Sequence, residues 1–341
     1  LAAALTRLCL VLGFMLLPLH DVMADVSLGI RSEALLASPA MTIDELDSSW
    51  ESPSEGDYAQ GRASWEVYTQ LNDNLQLGVH QRWHYLLAFS PQTAQFYSRL
   101  ENNQIDSGTY NLDFRMNAAQ ARGLFAQYFI PLSSSSSISV KATVLKGQRV
   151  QKGELTGTGV VSGDVFTYDW NLNYVYDENR IFDGPRSSPQ GWGYSFDVYA
   201  MHQFNERHYL ELSLEDLFYT LYWQEIEQDK GCLDRPLSSS CRVFSSKKTF
   251  VQRFPVMATM KWGYQFQSLQ TNVKIESWQR YRALWLGLDY QGLLLEVDGI
   301  NEMLNIGYES TGLKVKWAFD DVRYSNAKHW QLALDMNWPI L

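Results

Sequence analysis

The feature that most constrains this chain is a series of two-residue stripes running from near the N-terminus to the C-terminal segment. The clearest joins Phe166, Tyr168, Trp170, Leu172, Tyr174 and Tyr176, with Thr167, Asp169, Asn171 and Asn173 between them. Side chains two apart share one face of a strand, so this segment has an apolar face and a polar face. A soluble sandwich can produce a few such strands. A long series of them in an exported chain, with aromatics at the stripe ends, is the pattern of a transmembrane barrel. Such a barrel is apolar toward lipid and polar toward its lumen.

Export is read from the first residues. Residues 8–19 are apolar, Arg7 precedes them, and Val22-Met23-Ala24 fits a small-residue cleavage site. Residues 1–24 are therefore expected to be a signal peptide. Elsewhere no run is long and apolar enough for a spanning helix. The mean hydropathy of −0.26 is far below that of a helical membrane protein. Cleavage would remove Cys9 and leave Cys232 and Cys241 in one polar stretch. An oxidising compartment then predicts a disulfide between them, worth about 2–3 kcal/mol for a short loop. A net charge of −10 argues against nucleic acid as a partner.

An up-and-down trace follows from alternating short turns with long loops. Residues 25–60 form an N-terminal segment, either a plug or a first strand followed by a loop. Residues 61–341 form the barrel. Trp65, Val67, Thr69 and Leu71 make one stripe, ended by Asn72-Asp73-Asn74, and Leu75, Leu77 and Val79 begin the return. Residues 91–107 read as an outer loop. The parity of Tyr110, Leu112, Phe114 and Met116 resumes at Leu124, Ala126 and Tyr128, as one long strand or two. A serine-rich turn follows Pro131, and residues 227–248 read as a long loop carrying the two cysteines. Trp330, Leu332, Leu334, Met336 and Trp338 make the last stripe. The trace gives about 14 strands, with about 12 or 16 as alternatives, because barrels of this class hold even counts.

Charge on a lipid-facing position costs roughly 2–4 kcal/mol at mid-membrane, so charged residues at polar parity are expected inside the barrel. His80, Arg82 and His84 share that parity on one strand. Lys274, Glu276, Arg280 and Arg282 share it further on, with Lys314 and Lys316 on a later strand. Lys141, Asp113, Asp169, Asp197, Glu211 and Glu215 are the candidates to meet them. Such residues either pair into an interior ladder or line a selective path. There is no G-x-S-x-G, no H-E-x-x-H and no phosphate-binding loop before a helix. An enzyme, a metal site and a cofactor are therefore not expected.

Residues 123–223 resemble the FadL-like barrel group, which includes long-chain fatty-acid channels and TraF-like barrel proteins. The resemblance is carried by residues 138–157 (ISVKATVLKGQRVQKGELTG), by Gly191-Trp192-Gly193-Tyr194-Ser195-Phe196-Asp197, and by residues 210–217 (LELSLEDL). It implies a 14-stranded barrel with an N-terminal segment able to plug the lumen, and passage of a hydrophobic molecule. The final stripe with Trp338 also resembles the terminal strand by which the barrel assembly machinery recognises such proteins.

The expectation is a transmembrane, all-β, antiparallel up-and-down barrel in a bacterial outer membrane. It would act as a channel or transporter for small solutes, hydrophobic ones among them, through a polar lumen. The alternative is a non-conducting structural or assembly partner of an envelope export or surface-appendage system. Its partners would be outer-membrane lipid, the assembly machinery during biogenesis, and a small hydrophobic solute or an envelope protein.

Overall fold

The computed structural model describes residues 26–340 except 49, 51–52, 55, 164, 180–186 and 236–240. The expected signal peptide lies outside the described residues. In chain order the strands are β1 (Val26–Ala37), β2 (Tyr58–Asn72), β3 (Leu75–Phe89), β4 (Gly108–Ser133), β5 (Ser136–Ser162), β6 (Val165–Tyr176), β7 (Gln190–Gln203) and β8 (His208–Arg235). They continue with β9 (Val243–Arg253), β10 (Met257–Phe266), β11 (Leu269–Trp278), β12 (Tyr281–Tyr290), β13 (Leu293–Asp298), β14 (Leu304–Ser310), β15 (Leu313–Phe319) and β16 (His329–Ile340). One α-helix, α1 (Pro91–Glu101), joins β3 to β4.

The sheet holds 16 strands and closes on itself through β5–β7 and β8–β10 pairing, with β6 and β9 outside the ring, which leaves 14 in the wall. All wall pairs are antiparallel, and β1 closes the ring against β16 from Val26↔Ile340 to Ala37↔His329. Within the region 25–60, Val26–Ala37 is a wall strand, paired with β16 on one side and β2 on the other. Both described chain ends lie at one end, called here the inner end, with the tight β2–β3, β4–β5, β10–β11, β12–β13 and β14–β15 turns. The long connections lie at the outer end.

Strand lengths explain the shape. A tilted strand needs about 9–11 residues to cross a bilayer. β4, β5 and β8 have 26, 27 and 28 residues and rise well past that band. Above the wall, β6 pairs with the upper parts of β5 and β8, and β9 pairs with the upper part of β8. Of the stretch 227–248, expected as a loop, residues 227–235 and 243–248 are strand, the upper parts of β8 and β9. Cys232 and Cys241 are bonded across it with Cα atoms 5.3 Å apart. Residues 108–133 are one continuous strand.

The extension also corrects the lipid-facing role expected of the Phe166–Tyr176 stripe, because β6 stands above the lipid band. Its aromatic face packs against protein: the Phe96 ring of α1 lies 5.6 Å from Phe166 and 6.3 Å from Trp170. Leu172, Tyr174 and Tyr176 are buried together. Ser90 caps α1 by accepting from the Thr93 N–H at 3.1 Å, with Pro91 in the first turn. A stripe of period two reports a half-buried strand and is silent about whether lipid or protein covers it.

The lipid-facing belt is carried by other strands. Leu124, Val144, Met260, Ile275, Leu286, Leu295 and Ile306 all face outward and are exposed. Water would not tolerate so continuous an apolar surface, whereas hydrocarbon requires it. Trp192, Trp262 and Trp338 are exposed with them, as interfacial aromatics are.

On the inner face of the wall, large rings lie flat across glycines. Tyr68 covers Gly29, Phe125 covers Gly78, Tyr209 covers Gly263, and Trp223 covers both Gly191 and Gly147. Each ring thereby fills lumen without bending the strand it lies on. An alanine Cβ at 147 would sit 2.3 Å from Trp223 Cη2, and one at 191 would sit 2.4 Å from Cε3. Gly147→Ala and Gly191→Ala are expected to destabilise the barrel by about 1–3 kcal/mol through overpacking. Gly299→Ala, with nothing within 4 Å of its Cβ, is expected to stay within about 0.5 kcal/mol of the parent. Urea unfolding followed by tryptophan fluorescence checks both.

Candidate lumenal site

The interior is organised by alternation. Even-numbered residues of β3, odd-numbered residues of β4 and β7, and odd-numbered residues of β5 up to its bulge after Gly147 point inward, and this brings distant charges together. Arg82 donates from Nη2 to Asp197 at 2.8 Å and from Nη1 to Ser195 Oγ at 2.8 Å, and it is ion-paired with Asp216. Lys141 Nζ lies 2.9 Å from Asp197 and 2.8 Å from Glu66. Arg31 continues the chain to Glu66 at 3.3 Å and Asp335 at 3.0 Å. His84 Nε2 is 3.0 Å from Asp216, and Arg62 is 2.6 Å from Glu215. The result is an alternating chain of charges linking β16, β1, β2, β5, β7, β3 and β8. The small side chains Ala119, Ala121 and Gly123 along β4 leave Arg82 room to cross.

Two bulges in β8 complete this network. Glu215 and Asp216 together oppose Asp197, and Phe218 and Tyr219 together oppose Ser195. Asp216 and Phe218 take positive φ angles of 63° and 58°. This backbone costs about 1–3 kcal/mol per residue and persists only where its surroundings hold it. Here the Asp216 N–H donates to Asp197 Oδ1 at 2.8 Å, and its carboxylate holds Arg82 and His84. The second bulge turns Phe218 outward and Tyr219 inward.

A smaller cluster lies across the lumen. Lys274 Nζ is 3.1 Å from Glu276 and 3.3 Å from Glu296. Trp285 Nε1 donates to Glu276 at 2.9 Å, and Asn305 donates to Glu296 at 2.7 Å.

Above the charges sits an aromatic layer. Trp223, Trp278, Trp285, Tyr219 and Tyr281 are at most 1% exposed. His84 joins the two levels, its ring 5.0 Å from Tyr219 and 4.8 Å from Phe254. Phe254 comes from the break between β9 and β10, where the chain turns inward. Gln252, two residues earlier, is buried and accepts from Trp223 Nε1 at 2.8 Å. Its Nε2 donates to Asn117 Oδ1 at 2.8 Å and to the Ala118 carbonyl at 3.1 Å. The base of β9 is thereby tied to β4 across the mouth of the barrel.

This layer separates two cavities. The inner one, about 700 Å³, is lined by Glu33, Arg62, Glu215, Lys261, Lys274 and Lys316 among others. The outer one, about 900 Å³, is lined by Tyr58, Lys152, Lys248, Phe250, Arg253 and Phe254 among others.

Of the charges expected inside, His80, Arg82, His84, Lys141, Asp197, Lys274 and Glu276 are buried there. Glu211, Glu215, Lys314 and Lys316 line the inner cavity. Four lie elsewhere. Asp113 keeps inward parity but sits high on β4, exposed and paired with Arg115 at 3.1 Å. Asp169 is on the exposed polar face of β6, outside the ring. Arg280 occupies the β11–β12 turn and pairs with Asp57 at 2.5 Å. Gln279 there has φ 54°, and the reversal shifts the phase so that Arg282 faces outward. Parity carries across a strand but not through a turn. Arg31, Arg62 and Glu66 were missed although they stand at polar parity on their strands. Asp216 carries no sequence signal, because a bulge is invisible to alternation. Among the described residues no cluster of His, Cys, Asp and Glu is placed to hold a metal.

No family model matches the chain, and no curated protein matches it. Solved structures do. A deltaS2S3 mutant of the TodX monoaromatic hydrocarbon channel is 10% identical, with 93% of this chain and 90% of that one covered and a TM-score of 0.41. A Pseudomonas aeruginosa FadL homologue is 9% identical over 93% and 91% of the two chains, with a TM-score of 0.40. The Pseudomonas putida toluene transporter TodX is 10% identical over 93% and 89%, with a TM-score of 0.35.

Removing one member of a buried ion network leaves its partners uncompensated, which costs about 3–5 kcal/mol. Lys141→Met removes the cation shared by Glu66 and Asp197 and leaves each with one other cation, Arg31 and Arg82, so a loss toward the lower end of that range is expected in urea unfolding. Lys314→Met breaks an exposed pair with Glu309 and is expected to change stability by less than about 1 kcal/mol.

Proposed function

We propose that this chain is an outer-membrane channel for small hydrophobic solutes, held shut in the present conformation by side chains of its own wall. The observation that carries this is the pair of cavities, one toward each end, separated by a single aromatic layer. A barrel that served only as a scaffold has no need of opposed cavities aligned on one axis. An apolar layer across the path also suits the solute class. A hydrophobic body loses nothing on entering it, whereas a small ion would shed its hydration there. The charges below bind the wall strands to one another and set the polarity that the solute meets next.

The occlusion is wall-borne. Trp223 belongs to β8, Trp278 and Trp285 to β11 and β12, Gln252 to the last residues of β9 and Phe254 to the inward turn that follows it. Opening therefore requires a shift of the Phe250–Phe254 region and release of its bonds to Trp223 and Asn117.

A second reading, an assembly partner without conduction, draws on the tall β5–β6 and β8–β9 hairpins, which expose Val165 and Phe244 near their tips. Planar-bilayer recording separates the two. The parent barrel is expected to be closed for most of the record, and a Trp223→Ala/Phe254→Ala variant to conduct continuously. If both stay silent while heat-modifiable migration shows them folded, the channel reading fails and the partner reading takes its place.

A further inference from the structure

We propose that the outer cavity is a binding site for a compact organic anion with an aromatic body, its charge held by Lys152, Lys248 and Arg253. The proposal gives the outer mouth of that channel a ligand class; it rests on the channel reading only for the site's place on the path, and its binding can be tested apart from conduction.

The first observation is how charge is distributed. The whole chain carries a net charge of −10. The inner cavity is close to balanced, with five basic and six acidic lining side chains. The outer cavity has five basic side chains and one acidic side chain, Glu154. Two of those cations are satisfied, Arg115 by Asp113 at 3.1 Å and Arg280 by Asp57 at 2.5 Å. Lys152, Lys248 and Arg253 have no carboxylate partner among the described residues. Like charges gathered in a concave site with low-dielectric walls focus a positive potential into it, which raises the local concentration of anions.

The second observation is the floor. Phe250 and Phe254 lie beside these cations, with Tyr58 across the cavity and buried Val175 and Leu86 among the lining. The Lys152 Nζ stands 5.8 Å from the Phe250 ring centroid. A fully hydrated inorganic anion would gain nothing from such a floor. A ligand with one ring and one carboxylate satisfies both surfaces at once.

The third observation is what the site touches. Lys248, Phe250, Arg253 and Phe254 belong to the same inward-turning segment that carries Gln252 into the aromatic layer. A ligand here rests on the element that closes the barrel.

Lysines on β9 have another use. β9 pairs only with β8, and charge on a free edge discourages pairing with other chains. Edge protection requires no ligand and no difference between anionic and neutral probes, so it makes the opposite prediction.

The test is isothermal titration of the refolded full chain in detergent with 4-phenylbutyrate and with its neutral analogue 4-phenylbutanamide. The carboxylate is expected to bind at least about tenfold more tightly, the sum of three modest charge contacts, and less so in high salt. Lys152→Gln/Lys248→Gln/Arg253→Gln is expected to abolish that difference, and Lys247→Gln, outside the cavity lining, to preserve it. Heat-modifiable migration establishes that each variant is folded. Equal binding of acid and amide, or a preference that survives the triple substitution, overturns the site. Bilayer recording reports separately. A barrel that conducts without preferring the acid keeps the channel and loses the site, and one that prefers the acid without conducting does the reverse.

Discussion

The structure depends on the seam where the first described strand meets the last. In hydrocarbon an unpaired backbone group costs several kcal/mol, so a spanning sheet must have no edge. β1 and β16 meet that demand along their whole length, from Val26↔Ile340 to Ala37↔His329. Once the ring is closed, every wall residue has one of two fates. It faces lipid, or it faces an enclosed interior too narrow to leave charged groups freely hydrated.

The interior follows from that choice. Charges excluded from the lipid face are driven inward, and there they must find one another. The chain from Asp335 through Arg31, Glu66, Lys141, Asp197 and Arg82 to Asp216 is the outcome, with each inner member held between opposite charges. Such a network fixes which strands face each other across the lumen. It also demands room, which the glycines and alanines along β4 provide. The aromatic layer uses the same device with glycines on β5 and β7, which let Trp223 lie along the wall.

Much of this was legible in the sequence. Alternation placed the wall strands and sent His80, Arg82, His84, Lys141 and Asp197 inward, because a period of two is a direct geometric property of a strand. The spacing of Cys232 and Cys241 in one polar stretch pointed to their bond. What alternation could not carry was depth and phase. Asp113 and the Phe166–Tyr176 stripe keep the right period above the membrane, where protein or water replaces lipid. Arg280 and Arg282 follow a turn that resets the phase. Asp216 sits in a bulge, and Gln252 acts through a fold of the chain across the mouth that no local pattern encodes. Of the N-terminal segment, Val26–Ala37 is a wall strand paired on both sides, a placement that a single stripe shared with a following loop did not decide.

We infer that the barrel closes its own lumen by tying the base of β9 to β4. Cross-linking of Asn117→Cys to Gln252→Cys with a short reducible bis-methanethiosulfonate, in a Cys232→Ser/Cys241→Ser background in outer-membrane vesicles, tests it directly. The parent side chains meet at 2.8 Å, so the reagent should bridge the two thiols in the folded barrel and suppress conductance that reduction restores. A folded barrel in which both thiols react with the reagent but are never bridged would contradict this closure and place the base of β9 away from β4.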